Sequence, residues 1–257
     1  METVNSSNTM LQLIRHELKT RGSRGHANSP ASVKYAKRVY AIAALLILGA
    51  FFAYNSYSDA EKVVGFWYVT IGFPFIVLFS GFRLIRKEWD CGTYGFWLAM
   101  PYSSRKLAAA KWAAACLFSL YLVVLSLAAL TVYSLIIAVT VPSFTMEHWR
   151  AFMEAGTSWL IIIVGFTPVL TAAGLLLASW RYSVWRFASL LLWIVAVSAT
   201  SLLYSFASDP FDRFTEGSQA PWFPHPLLIV AAMAASWLVS YLFMRTAAYL
   251  LENKLLL

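Results

Sequence analysis

The charged side chains that could act together are concentrated in residues 83–112. There Glu88, Asp90, Arg105, Lys106 and Lys111 flank a short apolar stretch, FWLAM. An apolar centre with a polar rim is typical of a surface that packs against another molecule, so the chemistry expected here is noncovalent docking. The spacing leaves two interpretations open. The stretch is either a docking knob for a soluble partner or an interfacial hairpin that rests on lipid headgroups.

Motifs for catalysis and nucleotide binding are missing from the sequence. The four histidines lie far apart, without metal-ligand spacing, and neither His-Glu-x-x-His nor Gly-x-Ser-x-Gly occurs. There is no G-x-x-x-x-G-K-[ST] sequence, so the chain is not expected to cradle nucleotide phosphates. We therefore expect no catalytic, cofactor or metal site in this chain.

Helix start and stop signals divide the 83–112 segment. Gly92 is suited to end a helix that enters from the N-terminal side, and Thr93 can cap a new one. The new helix should be short, about Tyr94–Met100, because a proline follows it. Ser103 or Ser104 can cap a third helix, whose Ala- and Lys-rich start runs directly into the next apolar stretch.

Composition places these elements in a membrane. The chain has 257 residues, of which 60% are hydrophobic and 12% charged, against about 25% charged residues in a soluble protein. A membrane-spanning helix needs about 20 apolar residues. Six uncharged stretches meet this requirement and predict an all-α integral membrane protein with six transmembrane helices. They are residues 39–58, 63–82 and roughly 112–140, followed by the stretches that Glu154 and Arg181, Arg186 and Asp209, and Glu216 and Arg245 bracket, the last beginning near Pro226.

The basic residues predict the orientation of these helices. Of the 20 Lys and Arg residues, 17 lie in the N-terminal segment, the C-terminal tail and the loops on the same side, and basic residues in short loops stay in the cytoplasm. Both termini are therefore expected to be cytoplasmic. The net charge of +8 follows from this bias and implies no nucleic-acid partner. The domains are residues 1–38 (cytoplasmic helix and linker), 39–244 (six-helix transmembrane domain with the loop 83–111) and 245–257 (cytoplasmic tail).

Residues 9–19 predict a short amphipathic helix. Met10, Leu11, Ile14 and Leu18 share one helical face. The helix either lies in the membrane interface or packs on its own protein, and the sequence does not choose between the two.

An ordered set of residues in the 83–111 loop resembles the corresponding loop of type-2 ABC exporter permeases. In that family an acid, a Gly-Thr pair, a Leu-rich stretch, a Pro-x-Ser-Arg sequence and a Lys recur in this order. The six-span layout, cytoplasmic termini and amphipathic N-terminal helix are also similar. Cys91, Phe96 and Trp97 depart from the family's usual residue types. The residues that the resemblance assigns to coupling with a partner ATPase are Glu88, Gly92, Thr93, Phe96, Trp97, Leu98, Pro101, Arg105 and Lys111.

The resemblance also implies a mechanism and partners. A second permease copy or a paralogue would pair with this chain in the bilayer, and two P-loop ATPase subunits would bind ATP and Mg²⁺ below it. Closure of the ATPase pair would tilt the membrane helices through the loop, and a hydrophobic or amphipathic peptide, drug or lipid would be exported across a bacterial cell membrane. The alternative is a stand-alone secondary transporter or channel. The absence of ionisable residues from the predicted spans disfavours it.

Overall fold

The computed structural model is helical throughout its described part. The described residues are 6–20, 66–67, 69–184, 186–201 and 226–253, with isolated helical positions 35, 39, 40, 43, 47, 49–51 and 54. The helices are α1 (Ser6–Thr20), α2 (Phe73–Asp90), α3 (Tyr94–Leu98), α4 (Ser104–Thr140), α5 (Met146–Arg181), α6 (Ser189–Ser201) and α7 (Pro226–Asn253). A 3₁₀ turn, Arg186–Ala188, leads into α6. No β-strand occurs among these residues, which confirms the all-α class for this part of the chain.

Within the described ranges, four helices are long and apolar enough to cross a membrane. They are Val69–Asp90, which includes one 3₁₀ turn before α2, and helices α4, α5 and Leu227–Glu252 within α7. These four correspond to the second, third, fourth and sixth predicted spans. Of the fifth, the structure describes the apolar helix Ser189–Ser201. Most of the first span, the linker after α1 and the predicted 208–225 loop lie outside the described residues.

The second span begins later and ends later than its uncharged stretch suggested. Pro74 stands in the first turn of α2, where its missing N–H leaves no hydrogen bond unmade, so it starts the helix and does not kink it. The helix then continues past Arg83 to Asp90. The third span is likewise the continuation of a helix that begins at Ser104, as the capping signals predicted.

Helix α5 lies at the centre of the fold and packs against α2, α4 and α7. Its crossing with α2 is close enough that the two backbones nearly touch. A Cβ added to Gly81 would lie 2.1 Å from the Thr171 carbonyl oxygen, and one added to Gly174 would lie 2.0 Å from the Leu78 carbonyl oxygen. Small residues permit this approach, which gives dispersion contacts that helices in lipid depend on for association.

Helix α7 is attached to α5 by two serines one turn apart. Ser236 Oγ donates to the Gly165 carbonyl at 2.9 Å, and Ser240 Oγ donates to the Pro168 carbonyl at 2.9 Å. Trp112 Nε1 of α4 donates to the same Pro168 carbonyl at 3.1 Å. Pro168 lies inside α5 without ending it, and these three side chains tie its turn of α5 to α4 and α7.

Candidate coupling site

The turn between α2 and α3 forms as its sequence predicts. Gly92 has a φ of +66°, in the left-handed region. Its N–H donates to the Trp89 carbonyl at 3.0 Å, and the Thr93 N–H donates to the Glu88 carbonyl at 2.9 Å. These two bonds are the Schellman pattern, which satisfies the last carbonyls of a helix and reverses the chain. The predicted end of α2 at Gly92 is therefore confirmed.

Replacing Gly92 should loosen this turn. We expect Gly92→Ala to lower the free energy of unfolding by about 1–2 kcal/mol, because an L side chain is disfavoured at positive φ, and Gly92→Val to cost more. The measurement is denaturant or thermal unfolding of the purified protein in detergent. Gly95→Ala is the matched control, since Gly95 is helical and a Cβ there meets open space. Equal stability of the Gly92 variants and the control would contradict the role of this turn.

The caps of the next two helices differ. Thr93 holds the N-cap position of α3, but its hydroxyl makes no capping bond. It donates instead to the Glu88 carboxylate, so the predicted position is confirmed and the predicted bond is wrong. Ser103 caps α4 and accepts from the Lys106 N–H at 3.4 Å, as predicted.

Lys111 is the electrostatic centre of the site. Its side chain is fully buried, and its Nζ donates to Glu17 Oε1 at 2.7 Å and to Glu88 Oε1 at 2.9 Å. The same Nζ lies 4.8 Å from the centre of the Trp97 ring, within the range of a cation–π interaction. Helices α1, α2, α3 and α4 each supply one of these four residues, and the ammonium connects all four helices.

Burial makes this arrangement sensitive to loss of any member. An ammonium in a low-dielectric interior is costly unless it is paired and hydrogen-bonded. Here two carboxylates and an aromatic face surround it. The group therefore favours this arrangement of the helices. The Lys111 ammonium is fully buried, so a shift of α1 or α2 would take a carboxylate away from a charge that has no solvent to replace it.

The two neighbouring aromatic residues of α3 differ sharply in exposure. Trp97 is 4% exposed and packs among apolar residues of α2, α4, α5 and α7. Phe96 is 82% exposed. Its ring is therefore accessible to a partner or to lipid.

A stack of three aromatic rings supports the end of α2. Trp89 lies between Tyr94, at 5.3 Å between ring centres, and Tyr182, at 4.5 Å. Burial raises the pKa of Tyr182, and the Asp90 carboxylate raises it further. The hydroxyl therefore stays neutral at physiological pH, and the stack adds apolar area that links α2 and α3 to the end of α5.

The nine residues predicted for coupling fall into three groups: exposed, partly buried and buried. Phe96, Gly92, Pro101 and Arg105 are exposed, and Glu88, Thr93 and Leu98 are partly buried. Trp97 and Lys111 are buried, so neither presents its side chain to a partner. Any effect that these two have on coupling acts through the positions of the helices.

Sequence reasoning missed Glu17. Met10, Leu13, Ile14 and Glu17 are the half-buried positions of α1, whereas Leu11 is 65% exposed. The predicted face is therefore confirmed for Met10 and Ile14 and wrong for Leu11 and Leu18, which are exposed. Of the two interpretations of α1, packing on its own protein is confirmed, since α1 lies against α4. One sequence signal could have identified Glu17: its carboxylate completes an i, i+3, i+4, i+7 series with three apolar residues of α1.

A large apolar cavity lies away from this site. It is open to the surface and has a volume of about 890 Å³, and it is lined by described residues within 49–54, 66–73 and 122–141. Phe66 and Tyr133 stack on its wall with ring centres 4.1 Å apart. The few polar groups on its wall include the hydroxyls of Thr70, Ser126 and Thr140. Its size falls in the range of small-molecule pockets.

No metal-type constellation is present in the described residues, where no three His, Cys, Asp or Glu side chains gather. Comparisons of the chain with protein-family models, with curated proteins and with solved structures gave no match. The geometry of the site is therefore the basis for inferring what the protein does.

Proposed function

We propose that this chain is the permease subunit of an ATP-driven ABC exporter, coupled to a separate P-loop ATPase through α3. The observation that supports the proposal is the contrast within α3, where Phe96 is exposed while Trp97 is anchored in the interior. The ATPase, present in two copies, supplies the ATP and Mg²⁺ sites. A second permease copy or a paralogue completes the unit in the bacterial cell membrane.

The contacts of α3 give a physical route for coupling. A partner that packs on Phe96 pushes on a helix that Trp97 and its contact with Lys111 anchor in the interior. Because Lys111 also binds Glu17 and Glu88, the push reaches α1, α2 and α4 together. Tightly packed interiors transmit displacement and do not absorb it.

The cavity supports a hydrophobic or amphipathic cargo. Its apolar wall, interrupted by a few hydroxyls, suits a drug, lipid or apolar peptide better than an ion. We therefore propose cargo of this class.

Phe96 is the residue that tests the proposal most directly. Affinity purification of the chain from native membranes should recover a P-loop ATPase that has no membrane spans, in stoichiometric amount. Phe96→Glu should reduce that recovery at least about tenfold, because it places a charge in the centre of an apolar contact, while the thermal stability of the permease stays within about 0.5 kcal/mol of wild type.

Phe187→Glu is the matched control. Phe187 is 77% exposed and lies in the 3₁₀ turn after α5, outside the α3 surface. Equal ATPase recovery by the wild type and both variants would contradict docking through α3. A protein that is purified alone and transports cargo without ATP would overturn the permease assignment in favour of a stand-alone transporter or channel.

A further inference from the structure

A second charged site lies between the start of α4 and the end of α7. It shares Arg105 with the nine residues predicted for coupling, and its other lining residues belong to α7. It is a cleft of about 410 Å³. Two arginines from different helices line it, together with two hydroxyl groups and one carboxylate. The lining residues are Arg105, Leu242, Arg245, Thr246, Tyr249 and Glu252.

The charge of the cleft favours a monoanion. Two guanidinium groups and one carboxylate leave a net charge of +1. Guanidinium groups are planar donors that match the oxygens of a phosphate group, often with two parallel hydrogen bonds. A phosphodiester carries one negative charge and so balances the cleft, whereas the Glu252 carboxylate disfavours a dianionic phosphate monoester.

The apolar surroundings point to a lipid as the source of that phosphodiester. Leu242 lines the cleft, and Leu238, one turn earlier on α7, is 72% exposed. Both lie on the span-length helix Leu227–Glu252, whose last turns hold Arg245 and Glu252. Arginines at the end of such a helix lie at headgroup depth, and exposed leucines before them lie beside acyl chains.

We propose that this cleft binds the phosphodiester headgroup of a membrane phospholipid. Arg105 and Arg245 hold the phosphate, and Glu252 accepts a hydrogen bond from a hydroxyl or ammonium group of the headgroup. An acyl chain follows Leu242 and Leu238. The bound lipid would join α4 to α7 at one end of the bundle.

Native mass spectrometry of the full chain in mild detergent tests the site. Dioleoyl phosphatidylglycerol and phosphatidylethanolamine are the lipid probes, and dioleoylglycerol is the probe without phosphate. We expect each of Arg105→Gln and Arg245→Gln to weaken binding of the two phospholipids about fivefold, and the double variant more than tenfold. Arg186→Gln, which removes an exposed arginine outside the cleft, should leave binding unchanged.

Soluble probes distinguish a phosphate that belongs to a lipid headgroup from a phosphate that is free in solution. Glycerophosphoglycerol and inorganic phosphate at the same concentrations should neither displace the phospholipid nor raise the melting temperature. Equal binding of either soluble probe would overturn the lipid assignment. Retention of phospholipid by the double variant, or equal binding of dioleoylglycerol, would overturn the site itself. Binding is measured without any ATPase, so failure of this proposal is separate from failure of the proposed function.

Discussion

Lys111→Met should destabilise the protein by about 3–5 kcal/mol, because removing one partner from a buried ion group leaves the remaining charges without compensation. Methionine fills similar volume, so lost charge pairing and not a cavity would cause the effect. Glu17 and Glu88 would then face each other near a site from which water is largely excluded. The measurement is unfolding of the purified protein in detergent, by heat or by sodium dodecyl sulfate.

Two further variants separate charge from packing. Lys106→Met removes an exposed lysine from the same helix and should change stability by less than about 0.5 kcal/mol. The triple variant Glu17→Gln, Glu88→Gln, Lys111→Met removes all three charges and should regain much of the lost stability, since a neutral group needs no counter-charge. A triple variant as unstable as Lys111→Met alone would show that the ion group is not what stabilises this end of the fold.

Gly81→Ala should cost about 3 kcal/mol, at the upper end of the range for overpacking, and Gly81→Val should prevent correct assembly. A Cβ at this position would lie 2.1 Å from the Thr171 carbonyl oxygen. Backbone atoms cannot rotate away as a side chain can, so α2 and α5 must separate. The measurement is the unfolding transition in detergent, together with the fraction that elutes as a single species in gel filtration.

Gly72→Ala controls for the loss of a glycine in the same region. Its added Cβ has no neighbour within 4 Å, and its φ of −73° suits any residue. Stability close to wild type is expected for it. Gly81→Ala with unchanged stability would mean that the two helices are free to move apart at no cost.

Local signals predicted the elements of the coupling segment because their causes are local. A glycine that adopts positive φ ends α2, and a serine caps α4. Helix α3, expected to reach Met100 before the proline, is short as predicted but already ends at Leu98. The side chains within a few residues of each boundary determine these features. The uncharged stretches predicted which part of the chain holds each span, but not that α2 begins at Phe73. An apolar stretch does not show at which of its residues a helix starts.

The contacts between helices could not be predicted from the sequence. Glu17 and Lys111 are 94 positions apart, and no local pattern pairs them. Nor did any pattern distinguish Trp97, which is buried, from Phe96, which is exposed, because a helix of five residues is too short for a clear apolar periodicity. Gly81 and Gly174 lie on different helices, and only the crossing of these helices shows that each glycine closely approaches the backbone of the other helix.

Helix α4 is continuous, and its length determines how far its Ser104 end, next to α3, moves when the helix tilts. At 1.5 Å per residue, the 37 residues from Ser104 to Thr140 form a rod about 55 Å long, well beyond the roughly 30 Å of hydrocarbon in a bilayer. A rotation of about 10° around the Thr140 end would carry Ser104 through about 9 Å. Helix α4 is thus long enough to work as a lever arm. A small rotation about its Thr140 end would move its Ser104 end by nearly the length of two helical turns.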